Sequence, residues 1–232
     1  MLLEIKNMNV AYEHAKVLHD IFLRLMPGEI AFIIGRNGAG KTTLLKTIAG
    51  FIKPTEGSII FKDNIDLNKK SLEDTSLAGI RYIFQDKRVF TKLTVKDNII
   101  LSAYASKTSL PNAIEKFTEF YPNINRMLNL KAGNLSGGQR QILLIGCALI
   151  GNPELLLIDE PTEGLAAVII NDIVKLLSKM KRKISMLIVE QNLSIVRRLA
   201  DRIYLMKEGK ICKEIDDTNN SVGIREEIEK YL

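Results

Sequence analysis

Three short segments of the sequence carry residues that could do chemistry: GRNGAGKTT at 35–43, LSGGQ at 135–139 and LLLIDEPTEGLA at 155–166. The first has the form Gly-x-x-x-x-Gly-Lys-Thr, the pattern of a loop whose backbone N–H groups surround a phosphate. An apolar run at 30–34 precedes it, and apolar residues at helical spacing follow it. The segment therefore predicts a strand, a phosphate-binding loop and a helix.

In such a loop, Lys41 extends to the β and γ phosphates as a catalytic cation, and the Thr42 hydroxyl is placed to ligate Mg²⁺. The residues of this segment predicted to contact the nucleotide are Gly35, Arg36, Asn37, Gly38, Ala39, Gly40, Lys41, Thr42 and Thr43. A glycine-rich turn without a ligand is the competing interpretation. The complete eight-position match between a strand and a helix argues against it.

The third segment begins with four apolar residues, Leu155 to Ile158, which predict a strand buried on both faces. A carboxylate at the end of such a strand costs desolvation energy unless a cation or hydrogen bond compensates. Asp159 is therefore predicted to bind the same Mg²⁺ as Thr42. Glu160 follows and is predicted to orient a water molecule for attack on the γ-phosphate, as a general base. Without the phosphate loop, both would be ordinary surface carboxylates.

In the middle segment, Ser136 precedes the helical sequence RQILLIGCALI and is predicted to be its N-cap. A helix N-terminus binds anions. Because the first segment already holds the phosphates within one subunit, a second such site implies ATP held between two subunits. An ordinary capped helix is the alternative. The residues predicted to take part are Ser136, Gly137, Gly138 and Gln139.

With these motifs the chain resembles the ATP-binding cassette (ABC) family over nearly its whole length. GRNGAGKT matches Walker A, LSGGQ the signature, LLLIDE Walker B, and Gln85 in IFQDKR the Q-loop. The resemblance implies that Gln85 contacts the nucleotide and the metal, and that Tyr12 stacks on adenine. A strand tyrosine packed in a small sheet is the alternative for Tyr12.

The resemblance also implies an activity and partners. It implies ATP hydrolysis that drives a transporter, with ATP and Mg²⁺ as cofactors. The implied partners are transmembrane permease subunits, a second ATPase subunit that is either another copy or a sister ATPase, and, indirectly, a solute-binding protein. The chain would then lie at the cytoplasmic face of the cell membrane as a peripheral subunit.

Two positions depart from the family pattern. The switch position, usually histidine, is Gln191 in SMLIVEQN, and the only histidines of the chain are His14 and His19. A glutamine amide can donate to the γ-phosphate, so Gln191 is predicted to be catalytic, but it cannot titrate near neutral pH as imidazole does. The D-loop has alanines at 166–167 in place of its usual aspartate, so a polar contact across subunits from there is in doubt.

These departures point to a subfamily. VEQN, DEPTEGLA and FQDKRVFTKLTVKDNI look like the shorter ATPase of importers for branched-chain amino acids, with the urea and amide importers next. Gln85 favours the urea type, whereas EQN and RVF favour the amino acid type. Lipid export and an ABC ATPase acting on DNA or ribosomes are the other hypotheses. The 95 positions from Lys41 to Ser136 leave no room for a long coiled-coil insertion, which argues against the last.

The composition, 46% hydrophobic and 26% charged over 232 residues, is ordinary for one α/β domain. Cys147 and Cys212 give neither a disulfide framework nor metal-ligand spacing. The net charge of +6 is spread among 27 acidic residues, and the KMKRK cluster at 179–183 is predicted to be a solvated turn, so no nucleic acid is expected. No run reaches the roughly 18 apolar residues of a membrane-spanning helix.

The expected fold is α/β, a P-loop NTPase core of mostly parallel sheet with an N-terminal antiparallel β subdomain and an inserted α-helical subdomain. We predict one ABC ATPase domain over 1–232, with the core at 1–85 and 152–232 and the helical subdomain, which carries the signature, at 86–151. A short amphipathic helix is expected over the last ten residues.

Three segments predict the helical content of the insertion: TVKDNIILSAYA, LPNAIEKFTEF and INRMLNL. The resemblance implies that a groove in this subdomain receives a coupling helix from the membrane subunit. Arg88, Val89 and Phe90 lie just past the Q-loop, where they either pass γ-phosphate sensing to that groove or pack within the insertion.

Overall fold

The computed structural model describes residues 1–13, 15–86 and 88–216, so the helix expected over the last ten residues lies outside the described part of the chain. In chain order the strands are β1 (Leu3–Tyr12), β2 (Ala15–Leu25), β3 (Ile30–Ile34), β4 (Glu56–Phe61), β5 (Ile65–Asp66), β6 (Ile80–Ile83), β7 (Leu155–Asp159), β8 (Ser185–Val189), β9 (Arg202–Lys207) and β10 (Lys210–Ile215). The α-helices are α1 (Lys41–Ile48), α2 (Leu72–Leu77), α3 (Val95–Ala105), α4 (Leu110–Phe120), α5 (Gly137–Leu149), α6 (Ala167–Met180) and α7 (Leu193–Leu199).

The chain divides into two compact units. The core unit comprises Met1–Tyr82, Glu154–Glu160 and the described residues from Lys181 onward, and the helical unit comprises Ile83–Pro153 and Pro161–Met180. In this division α6 belongs to the helical unit, whereas the sequence-based division has residues 152–232 in the core.

The core unit contains the two predicted sheets. A four-stranded antiparallel sheet has the order β2-β1-β4-β5, and a six-stranded sheet has the order β10-β9-β3-β8-β7-β6. In the second sheet β3 runs parallel to β8 and β9, β7 runs parallel to β8, and β10 is antiparallel to β9. The predicted fold class, an α/β P-loop NTPase core with an antiparallel β subdomain, is confirmed.

The hydrophobic pattern explains this arrangement. Every residue of β3, β7 and β8 is buried, as expected for parallel strands covered on both faces. In β1 and β2, buried and exposed residues are interleaved, because only one face of their sheet meets the core. The core cluster joins β1 and β2 to α1 and to the central strands, so packing fixes the loop between β3 and α1.

The helical unit is built from capped helices. Thr94 caps α3 through a reciprocal pair of hydrogen bonds with Asp97, and Ser109 caps α4. Gly146 of α5 lets α4 approach closely, because a Cβ there would lie 2.1 Å from the Phe117 ring. These contacts hold α5, and with it the signature segment.

One predicted element of the helical unit is wrong. INRMLNL is not an α-helix, since only a 3₁₀ turn, Pro122–Arg126, forms there. The carbonyls of Leu128 and Leu130 instead accept hydrogen bonds from Lys96 N–H and Val95 N–H in the first turn of α3. Because these bonds satisfy N–H groups that a helix end leaves free, the tertiary contact outweighs the helical pattern.

Within the described residues, no helix has both the length and the apolar character needed to span a bilayer.

Candidate active site

The loop between β3 and α1 is shaped by its glycines. Gly40 precedes α1 with φ 101°, in the left-handed region that favours glycine. Gly35 is required for a different reason, because a Cβ there would lie 2.1 Å from the backbone oxygen of Met206 in β9. The predicted strand, loop and helix are confirmed, and the backbone can turn tightly at the start of α1.

Lys41 places a buried cation in this loop. Its side chain is 5% exposed, and its ammonium donates to the Gly35 carbonyl at 2.7 Å and the Arg36 carbonyl at 3.0 Å. The same nitrogen lies 3.9 Å from Glu160 Oε1. Burial lowers the pKa of Lys41, and the nearby carboxylates of Glu160 and Asp159 oppose that shift. The ammonium is therefore held in a site rich in acceptors.

Asp159 ends β7 as a buried carboxylate that is 1% exposed. The Tyr82 hydroxyl donates to its Oδ2 at 3.0 Å, whereas its Oδ1 makes no hydrogen bond with any described residue. Burial raises the pKa of Asp159, and the hydroxyls of Thr42 and Tyr82 and the Lys41 ammonium oppose the rise. A buried oxygen without a partner is costly, and a cation beside the Thr42 hydroxyl would compensate it.

Glu160, Gln191 and Asn37 form one hydrogen-bonded cluster. The Gln191 amide nitrogen donates to Glu160 Oε1 at 2.9 Å and to Asn37 Oδ1 at 2.8 Å. Glu160 has a φ of 46°, which is unusual for a residue with a side chain, and its N–H continues the ladder to the Val189 carbonyl. The residues come from three places: the loop after β3, the end of β7 and the end of β8. Strained backbone of this kind gathers at functional sites.

Tyr12 is the last residue of β1 in the core unit, and 46% of it is exposed. Tyr12 is therefore a strand tyrosine of the four-stranded sheet, as in the alternative interpretation, and nearly half of the residue is exposed. Its stacking on adenine stays a prediction.

The signature segment lies in the helical unit, where Ser136 is the N-cap of α5 as predicted. Ser136 Oγ accepts from Gln139 N–H at 3.2 Å, and Gln139 Oε1 accepts from Ser136 N–H at 2.9 Å. This capping box accounts for the two polar residues without a ligand. The two glycines differ in their surroundings. A Cβ at Gly138 would lie 2.4 Å from the Ile169 side chain, whereas a Cβ at Gly137 would meet no described atom within 4 Å outside its neighbours in the same helix. The N-terminus of α5 therefore has open space beside Gly137.

Gln85 also lies in the helical unit and is exposed, and its amide donates to Glu163 Oε2 at 2.8 Å. Its contact with a metal or nucleotide stays a prediction. Phe90, which we considered for packing within the insertion, is 63% exposed, so its ring is not buried there, although its N–H donates to Asn98 Oδ1 at 2.9 Å.

Sequence reasoning missed Tyr82 and Glu163, which contact Asp159 and Gln85. Tyr82 lies in β6, the strand that leads into the Q-loop, and this position is the feature of the sequence that could have indicated it. Nothing in the pattern pointed to Glu163 as a partner of Gln85.

Comparisons with known proteins agree with this geometry. The sequence matches the family model described as ABC transporter over residues 18–163. It is 34% identical over 214 residues to the high-affinity branched-chain amino acid transport ATP-binding protein BraG of Pseudomonas aeruginosa, covering 90% of this chain and 91% of that protein. It is 31% identical over 216 residues to the lipopolysaccharide export system ATP-binding protein LptB of Haemophilus influenzae, covering 90% of this chain and 88% of that protein.

Solved structures show the same fold. The ATP-binding cassette MJ1267 of an ABC transporter superposes with a TM-score of 0.86 at 29% identity, covering 100% of this chain and 98% of that one. The bacterial ABC transporter cassette MJ0796, solved as a dimer, superposes with a TM-score of 0.82 at 27% identity, covering 93% and 98%.

Proposed function

The chain belongs to the ABC transporter ATPases, and we propose that it energises an importer of branched-chain amino acids from the cytoplasmic face of the membrane. One observation carries the chemistry of the proposal. The Gln191 amide donates to both Glu160 and Asn37, while the Lys41 ammonium lies 3.9 Å from the same Glu160 oxygen.

ATP binding begins in the core unit. In the proposal, the N–H groups of residues 35–43 and the dipole of α1 face the phosphates. The Lys41 ammonium exchanges the carbonyls of Gly35 and Arg36 for β and γ oxygens. Tyr12, whose ring is exposed, stacks on the adenine.

Thr42 and Asp159 fit Mg²⁺, since both offer the oxygen ligands that this cation prefers, and Asp159 Oδ1 has no hydrogen bond among the described residues. In the proposal these two residues would hold the ion, and Gln85 is the third proposed ligand. When bound, Mg²⁺ neutralises negative charge on the phosphates.

Glu160 orients the attacking water and accepts its proton. Gln191 holds the Glu160 carboxylate through one amide hydrogen and directs the other toward the γ-phosphate when ATP displaces the Asn37 contact. Because the amide is neutral at all relevant pH values, it acts only as a fixed donor. The strained Glu160 backbone supports the assignment.

The signature completes the site of a second subunit. We place Ser136 and Gly137 against the γ-phosphate bound by the partner, because the N-terminus of α5 has open space beside Gly137 and a helix N-terminus favours anions. The dimer of the related cassette MJ0796 is consistent with this arrangement. Closure on two ATP molecules and reopening after hydrolysis would drive a permease between inward and outward states.

The substrate assignment rests on the similarity to BraG, together with EQN and RVF in this sequence. A urea or amide importer is the second candidate, favoured by Gln85. The similarity to LptB keeps lipid export as a third. A solute-binding protein is expected only for the two importers.

The test begins with this chain, tagged and purified from native membranes with its permease. The complex is reconstituted in liposomes with its solute-binding protein, and ATP hydrolysis is measured with leucine, isoleucine or valine and, in parallel, with urea or acetamide. Stimulation by the branched-chain amino acids alone is expected. Stimulation by urea or acetamide would assign the second candidate, and a complex with a lipid exporter would overturn the importer.

A further inference from the structure

Glu190 is a buried carboxylate for which the proposed mechanism has no use. We infer that Glu190 is a positioning residue, whose side chain fixes the short loop that presents the Gln191 amide. This inference rests on the role of Gln191 in the proposed function and adds a residue to it.

The contacts place Glu190 directly beneath that loop. Its side chain is buried, and Oε2 accepts the N–H of Gln191 at 2.8 Å and the N–H of Asn192 at 3.0 Å. Its own N–H donates to the Ile33 carbonyl of β3 at 3.3 Å. The backbone of Glu190 therefore binds β3, the strand that enters the phosphate loop. The Glu190 carboxylate binds the backbone of the next two residues of its own loop.

Only residues 190–192 connect β8 to α7, and Asn192 is the N-cap of that helix through its Oδ1, which accepts from Ser194 N–H at 3.0 Å. With both flanking residues fixed, the backbone of Gln191 has little freedom. Its amide therefore points at Glu160 and Asn37. A donor contributes to catalysis only when it is held in place before the charge develops.

A carboxylate suits this task. Two N–H groups converge on one oxygen of Glu190, and a charged acceptor makes hydrogen bonds roughly twice as strong as a neutral one. Burial of an acid is otherwise costly, so an acid with only a packing role would be a poor choice.

Glu29 supplies a matched control. It is also a buried glutamate of the core unit, and it also accepts a backbone N–H, that of Met26 at 2.6 Å. Its Oε1 forms an ion pair with Arg202 at 2.7 Å. Glu29 precedes β3, whereas Glu190 contacts the Ile33 carbonyl near the end of that strand.

The experiment compares steady-state ATP hydrolysis by the reconstituted transporter carrying Glu190→Ala, Glu190→Gln, Gln191→Ala or the double variant Glu190→Ala with Gln191→Ala. Glu190→Ala should lower kcat by about 10- to 100-fold, since a misplaced donor loses up to its whole effect. Glu190→Gln should stay within about 10-fold of wild type, because the amide oxygen still accepts both N–H groups. ATP affinity should change by less than about 3-fold in each, because the phosphate loop is untouched.

The decisive comparison is whether the effect of Glu190→Ala on kcat is the same in wild type and in Gln191→Ala. In Gln191→Ala, adding Glu190→Ala should change kcat by less than about 2-fold, whereas Glu29→Gln should have the same effect in both backgrounds. If Gln191→Ala is impaired and Glu190→Ala lowers kcat equally in both backgrounds, the positioning role is overturned while the proposed function stands. If Gln191→Ala has wild-type kcat, the proposed role of Gln191 fails and the inference fails with it. Should Glu190→Ala not fold, Glu190→Gln with and without Gln191→Ala makes the same comparison.

Discussion

Replacing Tyr82 with phenylalanine removes one hydrogen bond from the buried Asp159 carboxylate. The change removes the hydroxyl that donates to Asp159 Oδ2 at 3.0 Å and keeps the ring that lies 5.8 Å from Phe51. A hydrogen bond to a buried charge contributes about 1.5–3 kcal/mol. For a chain of this size, about 2–4 °C of Tm corresponds to 1 kcal/mol. Without nucleotide, Tyr82→Phe should therefore melt about 3–12 °C below wild type.

The lowering of Tm in Tyr82→Phe should depend on pH. Burial raises the pKa of Asp159 above its unfolded value, so the ionised carboxylate costs stability above the folded pKa, and protonation removes that cost as the pH falls. The difference in Tm between Tyr82→Phe and wild type should be largest at high pH and should shrink as the pH is lowered through the raised pKa of Asp159. Melting is followed by circular dichroism.

Tyr104→Phe is the matched control, because Tyr104 is 85% exposed. Its Tm should lie close to that of wild type over the same pH range. If Tyr82→Phe behaves like Tyr104→Phe, or if its deficit stays constant down to the pH at which the protein unfolds in acid, the hydroxyl does not stabilise the Asp159 carboxylate.

Three further predictions test the nucleotide site. Lys41→Ala should abolish hydrolysis and strongly weaken ATP binding, because the phosphates lose their main cationic partner, and near-normal turnover in a phosphate-release assay would contradict the loop assignment. Gln191→Ala should lower kcat by roughly 10²-fold. Gln191→His should stay active, and its kcat should acquire a new pH dependence between about 6 and 8. A kcat of Gln191→His that does not change with pH would argue against the contact with Glu160. Tyr12→Phe should bind ATP almost normally, and Tyr12→Ala should lose about 1–3 kcal/mol in a titration with a fluorescent ATP analogue; equal affinities would remove the stacking role.

The fold and the loop after β3 were predictable from local signals. Four or more consecutive apolar residues gave the buried parallel strands, and the glycine pattern gave the turn into α1. Ser136 was predictable as an N-cap because its partner Gln139 follows at the fixed spacing of a capping box. In each case the determining residues are close in the sequence.

The parts that failed depend on residues far apart in the chain. INRMLNL has an apolar pattern typical of a helix, but Leu128 and Leu130 bind the start of α3 instead. The Tyr82 hydroxyl reaches Asp159 across 77 positions, and no spacing rule links them.

In the proposed mechanism ATP binds between two ATPase subunits, so the enzyme should form a dimer that depends on ATP. Glu160→Gln should bind ATP and stall before hydrolysis, so light scattering during size exclusion should show a dimer with ATP and a monomer with ADP, which lacks the γ-phosphate. Adding Ser136→Arg should abolish the dimer while ATP binding in the phosphate loop survives. The run is repeated with the sister ATPase of the purified complex, since an obligate heterodimer would leave this chain alone as a monomer. ATP-dependent dimerisation in either run is the predicted result, and a monomer in both would contradict the claim.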